Sequence, residues 1–318
     1  MLFVMIATPY VIIASVVVTR NRLSMLKKAV DSILSQTHKP DKIIIVDNNS
    51  SDGTREWLGT LSAHLSNCVP VFLQKNLGGA GGFYHGIKKG CEIGADWIWT
   101  IDDDTVADPQ ALENLVDCGI LAENQTGLGF LASRVDWKDG TRHKMNVPGP
   151  TTDWTESLAG YPGSVKIRHA SFVSILINRR AVEKVGLPIK ELFLYHDDVE
   201  FTRRITSAGF SAYYICASKV AHLTPENIGI TFEQMDGCVQ HVTRWKYAIR
   251  NLLAVNRRER YGLLRETARL AYITLQLFRA RIPMKIRVSL IMAGLEGLGL
   301  NYEKWIEHPS VKQTVSNE

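Results

Sequence analysis

Cysteine is scarce in this 318-residue chain: Cys68, Cys91, Cys118, Cys216 and Cys238 are five, an odd number with no paired spacing. A disulfide framework or a zinc site would need closer clusters, so both are excluded and a reducing compartment fits better. Charged residues are a moderate 22% against 45% hydrophobic. That balance excludes a disordered chain, a collagen-like repeat and a polytopic membrane protein, and the length allows a large buried core. The chain also lacks internal repeats and low-complexity tracts. One uncharged run, residues 1–18, stands out, and Pro9 interrupts it. It is near the lower length limit for a spanning helix, and no basic residue precedes it as a secretory leader would require. Its β-branched end, Ile12–Thr19, reads as a buried parallel strand.

What the chain has is an uneven charge. From His241 onward, 14 Lys and Arg face 6 Asp and Glu, a net +8, whereas residues 1–240 carry a net −3. An acidic body and a basic tail suggest two jobs, the second with an anionic partner. No recognised module or aromatic-basic pattern accompanies that charge, so nucleic acid is not the expected partner.

Along the body, apolar strands alternate with helical spacing. Ile12–Thr19 is followed by a helix over Ser24–Gln36, and Lys42–Val46 by a helix over Thr54–Leu61. Val69–Gln74 leads into the glycine-rich Asn76–Gly82 and a helical stretch to Lys89, then to the strand Trp97–Ile101. This rhythm predicts an α/β fold with a mostly parallel, doubly wound sheet, which binds ligands at the carboxyl ends of its strands. Residues 130–190 mix Gly, Pro and Trp with short strands such as Ala170–Asn178. From His241 helical patterns dominate, over 245–255, 263–278 and 286–298. The expected organisation is a catalytic domain over 1–240, with a nucleotide-binding half at about 12–110 and an acceptor-side half at about 130–240. A basic helical region over 241–318 follows it.

Three features carry chemistry. Asp102-Asp103-Asp104 directly follows the strand Trp97–Ile101. Adjacent carboxylates repel one another, and a divalent cation at a strand's C-terminal end would offset that charge, although a solvated acidic turn would use the same residues. Asp197-Asp198 opens a helix ending near Gly209, where the helix's positive end favours ionised carboxylates. Glu200 and Arg204 lie four apart on one face of it. His222 follows a strand-like Ser211–Ile215; alone, it reads as an ordinary polar histidine, as do His38, His64, His85, His143, His169, His241 and His308. Trp97 and Trp99 alternate with Ile98 and read as core, whereas Trp137 and Trp154, in the irregular middle, suit stacking on a sugar.

Together, Ile12–Thr19 with Arg20-Asn21-Arg22, the run Ile44–Thr54 around Asp47-Asn48, the Asn76–Gly82 glycines, the Asp102–Asp104 triplet and His196–Glu200 resemble a family 2 glycosyltransferase. Five motifs agree in order over about residues 12–225, and the nearest likeness is to bacterial galactofuranosyl- and rhamnosyltransferases of surface polysaccharide synthesis, O antigen included. The uncharged leader Met1–Tyr10 is less typical. The resemblance implies a GT-A fold, a nucleotide-sugar donor and inversion at the anomeric carbon. By position it implies that Thr19, Asp47 and Asp103 contact the nucleotide, that Asp102, Asp104 and His222 hold Mn²⁺ or Mg²⁺, and that Asp198 is the catalytic base. Asp197, Trp137 and Trp154 fall on the acceptor side. The favoured donor is UDP-galactofuranose, with dTDP-rhamnose second, and the acceptor a glycan or lipid-diphosphate-linked sugar in the cytoplasm, at the inner face of the cytoplasmic membrane.

Two other classes fit the sequence less well. A sugar nucleotidyltransferase would open with a Gly-rich basic loop after its first strand, and Thr19–Leu23 holds no glycine. A non-catalytic scaffold retaining the fold would not be expected to keep Asp102, Asp104, Asp198 and His222. The basic tail, with Leu263, Leu264, Leu270, Ile273, Leu277 and Phe278 among arginines, suits an anionic membrane surface, a helical cap or a dimer contact equally.

Overall fold

The computed structural model describes residues 11–118, 120–123, 126–151, 163–229, 239, 241–258 and 262–309. Trp154 and the leader Met1–Tyr10 lie outside them. The strands β1 (Ile13–Thr19), β2 (Lys42–Asp47), β3 (Cys68–Phe72) and β4 (Trp97–Asp102) are short and apolar, and they pair in parallel in the order β3-β2-β1-β4. Both faces are covered, which is why these strands read as continuous apolar runs. Ile13, Val17, Trp97 and Trp99 face one layer, built by α1 (Leu23–Leu34), α2 (Thr54–His64) and α4 (Ala111–Val116); Trp97 and Trp99 are core. Ala14, Val16, Ile44 and Ile98 face the other, built first by α3 (Gly78–Glu92).

The glycines of α3 are explained by this packing. A β-carbon at Gly82 would stand 2.2 Å from Val18 Cγ1, and one at Gly86 would stand 2.3 Å from Val16 Cγ1. Helix and sheet approach too closely for any side chain there.

Beyond β4 the sheet becomes mixed. After β5 (Thr105–Ala107) and the short α5 (Ile120–Glu123) come β6 (Leu128–Trp137), β7 (Gly149–Pro150), β8 (Ser164–His169) and β9 (Ser174–Asn178). Helices α6 (Arg179–Val185) and α7 (Asp197–Ser207) precede the long β10 (Ser211–His222). The order continues β4-β9-β6-β10-β8-β7, with β9 antiparallel to both neighbours and β6 parallel to β10. The small strand β5 pairs antiparallel with the far end of β10, setting Thr105 opposite His222. The strand predicted to stop at Ile215 thus continues seven residues, and that extension carries His222 to the acidic turn.

The C-terminal helices α8 (Val242–Asn256), α9 (Gly262–Arg279) and α10 (Met284–Gly299) share their own core of Ile249, Leu253, Leu270, Ile273, Leu277 and Leu290. Through Ala254 and Val255, α8 also packs on Ile189 and Leu192 of the body.

Candidate active site

Parallel register lines up the ends of three strands. Thr19 pairs with Asp47, and Val18 with Asp102, so β1, β2 and β4 present their terminal polar residues side by side. Thr19 and Asp47 are locked by neighbours, and so are Asp103 and Asp104 just beyond Asp102. The Thr19 hydroxyl donates to Asp103 Oδ2 at 2.8 Å. Arg22, at the start of α1, donates through one nitrogen to Asp103 at 3.1 Å and Asp104 at 2.7 Å. Asp47 is fully buried, accepting from Arg55 Nε at 2.7 Å and the Ser50 amide at 3.0 Å. Asn48 ties this edge to the glycine run, accepting from the Leu77 amide and donating to the Gly78 carbonyl, both at 2.8 Å.

The β5–β10 pairing brings His222 against the acidic turn, with Nε2 3.0 Å from Asp104 Oδ1. On the other side of the ring, Nδ1 lies 2.9 Å from Asn146 Oδ1. Ligand atoms of Asp102, Asp104 and His222 all lie within 4.8 Å of one another. This donor set fits a divalent cation: two carboxylates, and an imidazole whose Nδ1–H is spent on Asn146 so that Nε2 faces the carboxylates. Burial, then the charge of Asp104, push Asp102 up to about 7. Asp103 is also raised, by burial first and against the pull of Arg22. Burial opposes Asp104's ionisation too, but the His222 hydrogen bond and the charges of His222 and Arg22 outweigh it and hold Asp104 low. Burial works against a charged His222, yet its bond to Asp104 raises it.

Asp197 and Asp198 open α7, as the motif predicted. Both are raised, by burial first: Asp198 to about 6, with the first-turn amides pulling the other way, and Asp197 well above the usual carboxylate range, with the charge of Asp198 beside it adding to burial. Asp198 adds, as the smallest contribution, to the negative charge that disfavours ionisation of Asp102.

The loop delivering this pair is strained. Phe193, Tyr195 and His196 all hold left-handed backbone, with φ of 65°, 66° and 62°. It is clamped on both sides. On the α3 side the Phe193 carbonyl accepts from the Ala80 amide at 3.1 Å, and it stands 1.9 Å from where a Gly78 β-carbon would be. From α8, the fully buried Asn251 points Nδ2 at the carbonyls of Leu192, Leu194 and Tyr195, at 2.8, 2.9 and 2.9 Å. Tyr247 of α8 stacks on Phe193, with centroids 4.7 Å apart.

Sequence reasoning missed four of these participants. Arg22 stood in a quoted motif without a role. By sequence His143 reads as an ordinary histidine, but its ring stacks on His222 at 4.6 Å and its Nε2 lies 2.9 Å from Thr224 Oγ1. Asn146 and Asn251 gave no signal, because their partners lie 76 and 56 to 59 residues away. Trp137 lies beside this cluster, opposite His222 in the sheet, with its indole N–H donated to the Thr224 carbonyl at 2.9 Å. A cavity of about 170 Å³ opens between Tyr195 and α8, lined by Met145, Tyr195, Ile228, His241, Arg244 and Trp245 among others.

Among known proteins, the family described as Glycosyl transferase family 2 matches residues 15–186. Galactofuranosyltransferase GlfT1 of Mycolicibacterium smegmatis is 32% identical over 206 residues, 62% of this chain and 66% of that protein. Galactofuranosyltransferase GlfT1 of Mycobacterium tuberculosis is 30% identical over 208 residues, 61% of this chain and 64% of its own. The chain thus spans just under two thirds of the length of these relatives. Among solved structures, S. aureus TarS 1–349 superposes with a TM-score of 0.54 at 14% identity, covering 90% of this chain and 71% of that one. The same fragment in complex with UDP gives 0.51 at 13% identity, covering 89% and 70%. At such identity the likeness is one of fold, and the fold is that of the GT-A glycosyltransferases.

Proposed function

From the premise that the chain belongs to glycosyl transferase family 2, we propose that it transfers galactofuranose from UDP-galactofuranose to a sugar hydroxyl, with inversion, in the assembly of a cell-surface glycan. The observation that carries this reading is the cluster of Asp102, Asp104 and His222 at the strand ends, whose ligand atoms lie within 4.8 Å of one another, with Asp198 opening α7 as the second acidic element. The names of the relatives at about 30% identity support galactofuranose over rhamnose.

The chain's residues divide the work. Asp103, held by Thr19 and Arg22, and Asp47, which acts through the Arg55 guanidinium it fixes, shape the floor for the nucleotide. Asp102, Asp104 and His222 would hold Mn²⁺ or Mg²⁺. A cation bound there supplies Lewis-acid compensation for the negative charge of the diphosphate. Asp198 takes the proton of the acceptor hydroxyl; with its acidity shifted to about 6, it is ionised at neutral pH yet more basic than a free aspartate. Asp197, buried beside it, orients the same turn. The acceptor, a glycan on a lipid diphosphate at the cytoplasmic face of the membrane, enters past Trp137 and the cavity beside Tyr195 and Trp245.

Thermal unfolding with UDP or dTDP, each with Mn²⁺ and with chelator, tests the donor side. A ligand at about 100 times its Kd stabilises by about 2.7 kcal/mol, a shift of several degrees. UDP stabilisation that chelator removes, followed by UDP release from UDP-galactofuranose in the presence of acceptor, is the expected result. Preference for dTDP would move the assignment to rhamnosyl transfer, and no shift with either nucleotide would sink the reading.

A further inference from the structure

Nine of the fourteen exposed large apolar side chains among the described residues lie on two helices, α9 and α10. Each helix already buries one apolar face in the C-terminal core, through Leu270, Ile273 and Leu277 on α9 and Leu290 on α10. Each then turns a second apolar face outward. On α9, Leu264, Ala268, Ala271, Leu275 and Phe278 are all exposed, Leu264 by 76%, at spacings of four and three that keep them on one side of the helix. On α10 the outward residues are Met284, Val288, Met292 and Leu295, again a single stripe. The Arg287 guanidinium, next to Val288, lies 5.4 Å from the Phe278 ring, so the stripes meet where the helices connect.

The rim of this face is cationic. Arg279, Arg281 and Lys285 are exposed at the connection, and Arg265 along α9. The carboxylates of the two helices are already engaged: Glu266 is buried between Arg265 and Arg269, and Glu296 faces Arg250 of α8. Neither helix is long and apolar enough to cross a membrane. Helices with a large apolar face and a basic border lie in the headgroup layer of anionic bilayers, where each cation adds to the attraction. The same face of a second copy would bring an identical rim of cations, with Glu296 the one exposed carboxylate on its α9 and α10 to meet it.

We infer that the outer face of α9 and α10 docks the protein on an anionic lipid surface, with both helices in the plane of the bilayer. Because α8 lies between this face and the loop carrying Asp198, docking sets the acceptor side of the cleft in a fixed relation to the membrane. The inference goes beyond the transfer reaction and holds whichever sugar is transferred.

The test is flotation of the full chain with vesicles of phosphatidylcholine alone or with about 30% phosphatidylglycerol. Two double variants, Leu275→Ser/Phe278→Ser and Arg279→Glu/Lys285→Glu, change only exposed positions. Retention of the UDP-dependent thermal shift shows that each variant is folded, and keeps failure of docking distinct from failure of the donor assignment. The wild type is expected to float with anionic vesicles only. The serine pair should weaken binding at least tenfold, and charge reversal about fivefold or more per residue. Equal partition into both vesicle types, or no flotation, would overturn the inference. So would light scattering showing a dimer that the serine pair dissociates without any vesicle binding, since the face would then belong to a second copy.

Discussion

Asn251→Ala should cripple turnover while leaving nucleotide binding intact. The Asn251 amide donates to the carbonyls of Leu192, Leu194 and Tyr195, and Leu192 has a second donor in Arg250. Removing the amide therefore strands chiefly the half-buried carbonyls of Leu194 and Tyr195, each at the lower end of a cost of about 1–3 kcal/mol. The loop they belong to already holds Phe193, Tyr195 and His196 in left-handed backbone. Such conformations cost of order 1–3 kcal/mol apiece and persist only when their surroundings enforce them. Released, the loop should relax and carry Asp197 and Asp198 away from the acceptor. A displacement of about 1 Å is enough to lower a rate about 10²-fold. We expect kcat at saturating UDP-galactofuranose to fall by about that factor and stability in urea to fall by about 2 kcal/mol. The UDP-dependent thermal shift should stay at the wild-type value, because Thr19, Asp47 and Asp103 stand on other elements. A variant that lost stability but kept kcat within about threefold would refute the positioning role and reduce Asn251 to packing.

Further outcomes follow from the same geometry. Asp198 is raised to about 6, and a base works only when ionised, so the rate should fall as pH drops through that value; Asp198→Asn should remove about 10²–10⁴ of the rate together with that limb, and a wild-type profile flat down to pH 5 would contradict the assignment. Asp102 is raised to about 7, mainly by burial, so the folded state holds a proton that the unfolded chain has lost. The metal-free protein should therefore lose stability as pH climbs from about 4 through 7. Asp102→Asn should raise the metal-free melting temperature at pH 8 and abolish stabilisation by Mn²⁺, both read in one unfolding series. Asn146→Ala frees the His222 ring, and a Mn²⁺ titration in the presence of UDP should show affinity about 10–100-fold weaker. Gly86→Ala drives a methyl into Val16 and should cost about 1–3 kcal/mol in urea unfolding with little change in UDP affinity.

By itself, the sequence determined the parallel half of the sheet. Strands such as Lys42–Asp47 and Trp97–Asp102 are apolar because both faces are covered, and that pattern is written locally. Parallel register then places whatever polar residue ends each strand on one edge, which is why Thr19, Asp47 and the Asp102–Asp104 turn were legible as a site. The Asp197-Asp198 opening of α7 was legible for the same reason, since a helix start has a local signature. Tertiary structure alone decided the rest. His222 becomes a partner of Asp104 because β10 runs on to pair with β5. The stacking of His143 on that ring, and the grip of Asn251 on the loop before Asp198, join segments more than fifty residues apart. Such pairings have no period in the chain, because they answer buried carbonyls and ring faces that come into being only when the sheet and the C-terminal helices close together. The outer faces of α9 and α10 show the same division. Their apolar residues and arginines are plain in the sequence, but only packing separates the leucines that fill a core from those left facing outward.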